Sequence, residues 1–256
     1  MIRMALAVAV MTFREAVRDR ILYLLLAFAL VMIAAARFLA LLTVGSEARI
    51  VADTGLAAIA FFGVLTAIFV GVSLITKEIE QRTAYTVLAR AMGRGTFVLG
   101  KYLGLLMTLW VNAGVMSLGF ILLLALRGEP ILPVLPALWL IAVEMAVVTA
   151  LALFFSAVAT SSIIGVLFTL GLYVAGHLVW SFPLLAERLG AGWGQRLVMI
   201  VYYALPNLDR FNVRALVIHG DPVPLDFLAA QTVYGLGWSV LLILAASRAF
   251  ARRDLT

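Results

Sequence analysis

Cysteine is absent from the sequence, and histidine is nearly so. With no cysteine among its 256 residues, the chain can form no disulfide, use no thiol nucleophile and offer no cysteine ligand to a metal. The two histidines, His177 and His219, are too few for a clustered metal site. The His-Glu-x-x-His, Gly-x-Ser-x-Gly and aspartate-rich motifs of intramembrane enzymes are missing as well. We therefore expect a non-catalytic chain that binds no metal and no cofactor of its own.

Charged side chains are also scarce, at 12% of the sequence, whereas hydrophobic residues make up 65%. A soluble domain is about half apolar and about one-quarter charged. One globular core cannot hide so much apolar surface, so most of it must face lipid. The composition predicts an all-α integral membrane protein with a single domain over residues 1–256. The net charge of +6 is then a signal of membrane orientation and not of nucleic-acid binding.

Six apolar stretches are long enough to cross a bilayer, which takes about 20 residues in a helix. Both termini are predicted to be cytoplasmic, because the inner segments then hold twice as many Lys and Arg residues as the outer ones. No cleavable signal peptide is expected, since the N-terminal arginines are spread out. The six predicted spans cover residues 21–42, 55–75, 97–126, 134–157, 163–180 and 227–246.

Residues 1–20 are predicted to lie along the inner membrane surface. Apolar side chains recur there every three or four positions, at Leu6 and Val10 for example, whereas Arg3, Arg14 and Arg18 fall on another side. We interpret this segment as an interfacial amphipathic helix with its arginines near anionic lipid headgroups. A simple extension of the first span is the alternative.

Residues 181–226 form the one substantial segment predicted outside the membrane. Their apolar stretch at residues 197–205 is too short to cross the bilayer. Trp and Tyr side chains typical of a membrane surface surround it. We expect short helices that lie on or dip into the outer leaflet, broken at Pro206.

One short string, Gly95-x-x-x-x-Gly100-Lys101, resembles a phosphate-binding loop. A working loop of that kind follows a buried strand, precedes a helix and has Ser or Thr after its lysine. Here Tyr102 follows the lysine and a helical pattern precedes the string, so we expect no ATP hydrolysis by this chain. The string suits a helix–turn–helix, in which Gly95 ends one helix, Thr96 caps the next and Gly100 permits close packing.

The loop between the second and third spans carries the most specific motif. Residues 76–104 read TKEIEQRTAYTVLARAMGRGTFVLGKYLG, and a short amphipathic helix is expected at residues 78–92 on the cytoplasmic side. Such a helix could dock into a partner and move the spans that it joins. The loop resembles that of ABC-2-type transporter permeases, in the multicopper-enzyme-maturation branch related to the permease of nitrous oxide reductase maturation. The matching residues are Glu78, Ile79, Glu80, Thr83, Tyr85, Leu88, Ala89, Arg90, Arg94, Phe97, Gly100 and Lys101.

A second string, ALPNLDRFN at residues 204–212, resembles strings of the same branch, although Ala91 stands where that branch has a proline in the loop. The resemblance implies a six-span permease of the ABC-2, or type V exporter, fold in the plasma (inner) membrane of a prokaryote. Residues 181–226 would form short re-entrant helices, and spans two and five would flank the substrate path. An extracytoplasmic partner protein is compatible with this layout.

The resemblance also implies partners. Two permease chains, identical ones being favoured over different ones, would each sit on a cytoplasmic ATP-binding subunit that holds ATP and magnesium. Residues 78–92 would be the coupling helix seated in that subunit, and residues 1–20 a connecting helix that touches it. The residues implied in coupling are Glu78, Glu80, Arg82, Thr83, Leu88, Arg90 and Arg94.

Two polar residues are predicted near the middle of the membrane. Glu144 lies about ten residues into the fourth span, where a charge costs roughly 3 kcal/mol or more, so it is a candidate functional residue. A structural alternative is a protonated Glu144 that hydrogen bonds to another helix, with Asn112 of the third span as the expected partner. His177, near the outer end of the fifth span, is interpreted as an interfacial polar residue.

Three functions remain open from the sequence. The first is a non-catalytic permease subunit of an ATP-binding-cassette transporter, working as an exporter. The second is an ion- or proton-coupled secondary transporter with Glu144 as the carrier. The third is a membrane scaffold for an assembly factor, which would tolerate loss of the Glu144 charge. The substrate is left open.

Overall fold

The computed structural model describes residues 2–41, 47–80, 93–190 and 192–252, with side chains except at residues 2, 37–41, 74–80 and 94. Over these ranges the chain is helical and contains no strand. Three single 3-10 turns, Leu132–Val134, Val179–Ser181 and Leu208–Phe211, join longer helices. The α-helices are α1 Ile2–Ala16, α2 Arg20–Leu41, α3 Glu47–Glu80, α4 Arg94–Leu126, α5 Leu135–Val158, α6 Ser162–Leu178, α7 Phe182–Arg188, α8 Trp193–Ala204, α9 Arg214–His219 and α10 Leu225–Arg252.

Five helical stretches in the described chain are long and apolar enough to cross a membrane. A sixth is obtained if α1 and α2, which meet at a bend of 64°, count as one broken span. The predicted integral membrane architecture is therefore confirmed at the level of five or six spanning helices. The five stretches are Glu47–Ser73, Gly95–Leu126, Leu132–Val158, Ser162–Arg188 and Leu225–Arg252.

Several helix ends follow local signals in the sequence. Ser161 precedes α6 and its hydroxyl accepts a hydrogen bond from the Ile164 amide at 3.4 Å, which satisfies a free donor of the first turn. Gly220 follows α9 in the left-handed conformation, with φ of 81°, as expected of a C-terminal cap. The start of α4 differs from expectation. Gly93 is its N-cap, so Gly95 and Thr96 lie inside the helix and do not form its boundary.

α3 and α5 form the centre of the bundle. α5 is buried along most of its length and packs against α10, α3, α6 and α4. Glycines allow α3 to approach it closely, because a Cβ at Gly63 would overlap the Met145 side chain and one at Gly71 would lie 2.8 Å from the Ala152 Cβ. The Ser156 hydroxyl also donates to the Val72 carbonyl at 3.0 Å.

α1 packs along α4, a contact that the sequence did not predict. The buried side is made of small residues such as Ala5 and Ala9, whereas Leu6, from the predicted apolar stripe, is 58% exposed. Gly100 permits this contact, since a Cβ there would lie 2.7 Å from the Val8 Cβ. The apolar stripe therefore faces outward, and the small-residue side faces protein because only small side chains let two backbones come this close.

Lys101 links the same two helices. Its side chain is 4% exposed, and its Nζ lies 3.3 Å from a carboxylate oxygen of Glu15 in α1. The ammonium also lies 5.9 Å from the ring centroid of Phe97, which in turn stacks on Phe250 at the end of α10. The lysine of the phosphate-loop-like string is thus part of a helix–helix contact. We call this part of the bundle, formed by α1, the start of α4 and the end of α10, the α1 end.

The segment between α6 and α10 is made of short helices, as predicted. α8 ends at Ala204, two residues before Pro206, and every residue of α8 is at least partly exposed. α8 packs mainly against α7. The 3-10 turn Leu208–Phe211 behaves differently, because both of its terminal side chains are buried.

The predicted coupling helix falls largely outside the described residues. α3 runs unbroken through Glu80, so the first residues of the predicted helix 78–92 continue α3 instead of starting a separate helix. Residues 81–92 lie outside the described ranges, and with them Arg82, Thr83, Leu88 and Arg90. The backbone of Glu78, Glu80 and Arg94 is helical, while their side chains are outside the description.

Candidate functional site

A cavity of about 480 Å³ lies between α3, α5 and α6. These helices correspond to the predicted second, fourth and fifth spans. Small and aromatic side chains of α3 form much of its wall, together with Met32 of α2. Polar groups converge on it from the other helices: Glu144 from α5, Tyr173 and His177 from α6, and Arg214 from the start of α9. A mostly apolar cavity with a few converging polar groups is the usual form of a small-molecule site.

Glu144 is the most deeply buried charged group of this cavity, at 4% exposure. One of its carboxylate oxygens lies 3.3 Å from His177 Nε2, within ion-pair distance but without the alignment of a full hydrogen bond. The Tyr173 side chain lines the same cavity and lies close enough to interact with this carboxyl. His177 is therefore a partner of Glu144, and not the isolated interfacial residue expected from the sequence.

The geometry around His177 favours a proton between its ring and the Glu144 carboxyl. His177 Nδ1 lies 3.2 Å from the Tyr173 carbonyl oxygen, which can only accept, so Nδ1 carries a hydrogen. In a neutral imidazole Nε2 is then an acceptor, and it faces an oxygen that is also an acceptor when Glu144 is ionised. Two acceptors 3.3 Å apart need a proton between them. A single proton, carried by either the carboxyl or the ring, would make this contact favourable.

Arg214 stands at the mouth of the cavity. Its guanidinium lies 3.9 Å from a carboxylate oxygen of Asp53 in α3, and its Nε donates to the Asn212 side-chain oxygen at 3.1 Å. Asn212 and Arg214 also border a second cavity of about 430 Å³, whose other lining residues include Arg49 and His219. The two cavities thus share Asn212 and Arg214 as a boundary.

The string at residues 204–212 holds this boundary in place. Gly176 of α6 makes room for it, because a Cβ there would lie 2.9 Å from the Leu208 side chain. Gly235 of α10 does the same, since a Cβ would lie 3.2 Å from the Phe211 ring. The Tyr234 hydroxyl accepts a hydrogen bond from the Asn207 amide at 2.8 Å. These contacts position Asn212 and Arg214 next to the cavity.

The other predicted site residues lie away from this cluster. Asn112 is buried in α4, and within the described part of the chain neither atom of its amide has a hydrogen-bond partner. The expected hydrogen bond from Asn112 to Glu144 is therefore absent among those residues, and that prediction is wrong. Arg3 and Arg14 are exposed on α1, and Arg18 is exposed in the turn that follows it.

Tyr173, Asp53 and Arg214 were not identified from the sequence. Tyr173 precedes His177 by one helical turn, which is a usable signal that both face the same way. Asp53 lies just ahead of the predicted second span, so hydropathy alone leaves it outside the membrane helix. Arg214 belongs to a short segment whose fold decides its position, and no local pattern indicates it. Among the described residues, no group of three His, Cys, Asp or Glu side chains could hold a metal ion.

Comparison with known proteins adds no relative to this picture. No protein-family model matches the chain, and a search of curated protein sequences found no match either.

Proposed function

We propose that the chain is the transmembrane permease subunit of an ATP-binding-cassette transporter and works as an exporter. The observation that carries this proposal is the course of α3. This helix lines the cavity around Thr54 and Phe61 and continues unbroken to Glu80, where the segment that resembles a coupling helix begins. A single rigid element therefore joins a candidate solute site to a candidate docking site for a motor.

The packing of α3 suits a transmitted movement. From Phe61 to Glu80 an α-helix extends roughly 28 Å, close to the thickness of the hydrocarbon core. Along this stretch α3 contacts α5 closely at Gly63 and Gly71. A force applied beyond Glu80 would therefore act on α3 and α5, two of the helices that border the cavity. Such a force drives transport if the two conformations bind the solute unequally.

In this proposal ATP and magnesium are bound by a separate cytoplasmic subunit, and this chain is not an enzyme. Two permease chains, each on its own ATP-binding subunit, would complete the transporter. The apolar stretches of α4, α6 and α10 are one-third buried or less, which leaves broad faces for lipid and for a second chain. The positively charged α1 end would face the cytoplasm, with both termini there.

Charge reversal in the loop tests the proposal. The chain is expressed together with the ATP-binding subunit of its own source, and ATP hydrolysis that co-purifies with the chain is measured. Glu80→Arg with Arg90→Glu should abolish the co-purified, magnesium-dependent activity while the chain stays in the membrane. Glu187→Arg, an exposed acid in α7, is the control and should leave that activity intact. Undiminished activity of the double variant would refute the proposed coupling.

A second candidate function is favoured by one observation, the buried Glu144 carboxyl in contact with His177. A proton-coupled secondary transporter needs such a group next to its solute and needs no ATPase. Purified chain in liposomes separates the two functions. Solute movement driven by a pH gradient alone supports the secondary transporter, and a requirement for ATP and its subunit supports the permease.

A further inference from the structure

We propose that the cavity at Glu144 binds a monovalent organic cation with an apolar body, which replaces the proton shared by Glu144 and His177. This inference names the solute class of the proposed permease and rests on that function for the direction of transport. Binding itself requires only this chain, so it can be measured separately.

The walls of the cavity suit an apolar body. Phe61 and Phe62 of α3 and Phe211 of the 3-10 turn line it, together with Ala57 and Ile141. Its volume of about 480 Å³ is in the range of small-molecule sites. Aromatic faces also attract cations, and more strongly when water is excluded. A hydrophilic ion would gain little from these walls, whereas an organic cation gains from both their apolar surface and their rings.

The charges around Glu144 favour a cation over an anion. Among the described side chains, Arg214 and Asp209 act electrostatically on the Glu144 carboxyl, with Tyr173 and His177 as its uncharged neighbours. Arg214 is paired with Asp53, so among the charged side chains that line the cavity Glu144 is left without a permanent counter-charge. Without the shared proton the site has a net negative charge. That charge would repel an anion, whereas a cation would neutralise it.

The exchange keeps the charge of the site constant. When the pair holds its proton, Glu144 and His177 together are neutral, in either arrangement of that proton. A buried carboxylate left with neither proton nor cation is costly, because its solvation is lost without compensation. One cation therefore enters as one proton leaves to solvent from the carboxyl or from Nε2. The second cavity adjoins this site at Asn212 and Arg214.

Purified full-length chain in lipid nanodiscs, without any ATPase, tests the exchange. The probe is tetraphenylphosphonium, and tetraphenylborate is a control of nearly the same shape and opposite charge. Empty nanodiscs correct for partition of either ion into lipid. We expect saturable binding of tetraphenylphosphonium and the release of about one proton per cation in weak buffer. Where the pair is protonated, the dissociation constant should rise about tenfold for each pH unit of acidification, since proton and cation compete.

Variants of Glu144 test whether its carboxyl is the site of the exchange between proton and cation. Glu144→Gln keeps the shape of the side chain but has no charge to exchange, so affinity should fall at least about tenfold and lose its pH dependence. Glu144→Asp keeps a carboxylate and should retain pH-dependent binding. Glu187→Gln changes an exposed acid outside the cavity and should bind the probe like the original chain.

The outcomes separate this inference from the proposed function. Equal saturable binding of tetraphenylborate, or binding of the cation that ignores pH, overturns the inference even if no variant folds. An unaltered affinity of Glu144→Gln overturns it as well, and neither result bears on coupling to an ATPase. Conversely, exchange by a chain that never associates with an ATP-binding subunit would refute the permease proposal and leave the cation site standing.

Discussion

Gly100 and Gly104 decide how closely α1 approaches α4. A Cβ at Gly100 would lie 2.7 Å from the Val8 Cβ and 2.8 Å from the Ala5 carbonyl oxygen, and one at Gly104 would overlap the Ala9 carbonyl oxygen. Backbone atoms cannot move aside as flexible side chains can. We therefore expect Gly100→Ala and Gly104→Ala each to destabilise the protein by about 1–3 kcal/mol through overpacking. Thermal unfolding in detergent measures this effect.

A matched control lies on the same helix. A Cβ added at Gly114 meets no atom of the described structure within 4 Å. Gly114→Ala should therefore stabilise the helix by up to about 1 kcal/mol, the usual gain in helix propensity. If all three alanine variants unfolded at the same temperature, close packing of α1 on α4 would be disproved.

The sequence predicts that Glu144 is a candidate functional residue, but it does not predict which residue contacts it. A lone carboxylate in an apolar run is visible in any sequence, because its burial is costly whatever surrounds it. Its partner is not visible in that way. Asn112 was chosen for its similar depth in the membrane, but depth does not determine which faces of two helices meet. His177 reaches Glu144 because α5 and α6 pack with these faces together, and that is a property of tertiary structure.

At the scale of elements, the turn Leu208–Phe211 depends on the helices that enclose it. A Cβ at Gly176 would lie 2.9 Å from both the Leu208 side chain and the Pro206 carbonyl oxygen. Gly176→Ala should displace this turn and with it Arg214. Limited digestion with trypsin should then cut faster at Arg210 and Arg214 than in the original chain.

Gly171 provides the control for that experiment, because it lies in the same helix and its added Cβ has no described neighbour within 4 Å. Gly171→Ala should leave the rate of cleavage unchanged. Equal rates in both variants would show that the turn is held by something other than its fit against α6.

The existence of the membrane helices was predictable, whereas their ends and faces were less so. Each apolar run is long enough that only a helix can satisfy its backbone in lipid. α3 nevertheless begins at Glu47, eight residues before the predicted start, because Arg49 and Asp53 lower the hydropathy without interrupting the helix. In α1 the pattern revealed an apolar stripe, but the face used for packing is that of the small residues, which hydropathy does not distinguish.

For the whole molecule, the distribution of charge along the bundle predicts its orientation. The α1 end carries Arg14 and Arg18, together with Arg248 and Arg252 of α10. The opposite end carries opposite charges that pair across elements, Glu47 with Arg127 and Arg214 with Asp53. An unbalanced positive end is held on the cytoplasmic side during insertion, whereas paired charges contribute little to orientation.

The absence of cysteine makes this orientation directly measurable, because a single introduced cysteine is the sole thiol of the chain. Arg18→Cys places that thiol on the α1 end and Glu187→Cys places it on the opposite end, both at exposed positions. A membrane-impermeant maleimide added to intact cells should label Glu187→Cys and should reach Arg18→Cys only after permeabilisation. The reverse pattern would place Arg214, and the end of the Glu144 cavity that it lines, on the cytoplasmic side. An ATP-binding subunit could then not reach the segment beyond Glu80 from the cytoplasm, so the reverse pattern would refute the permease proposal.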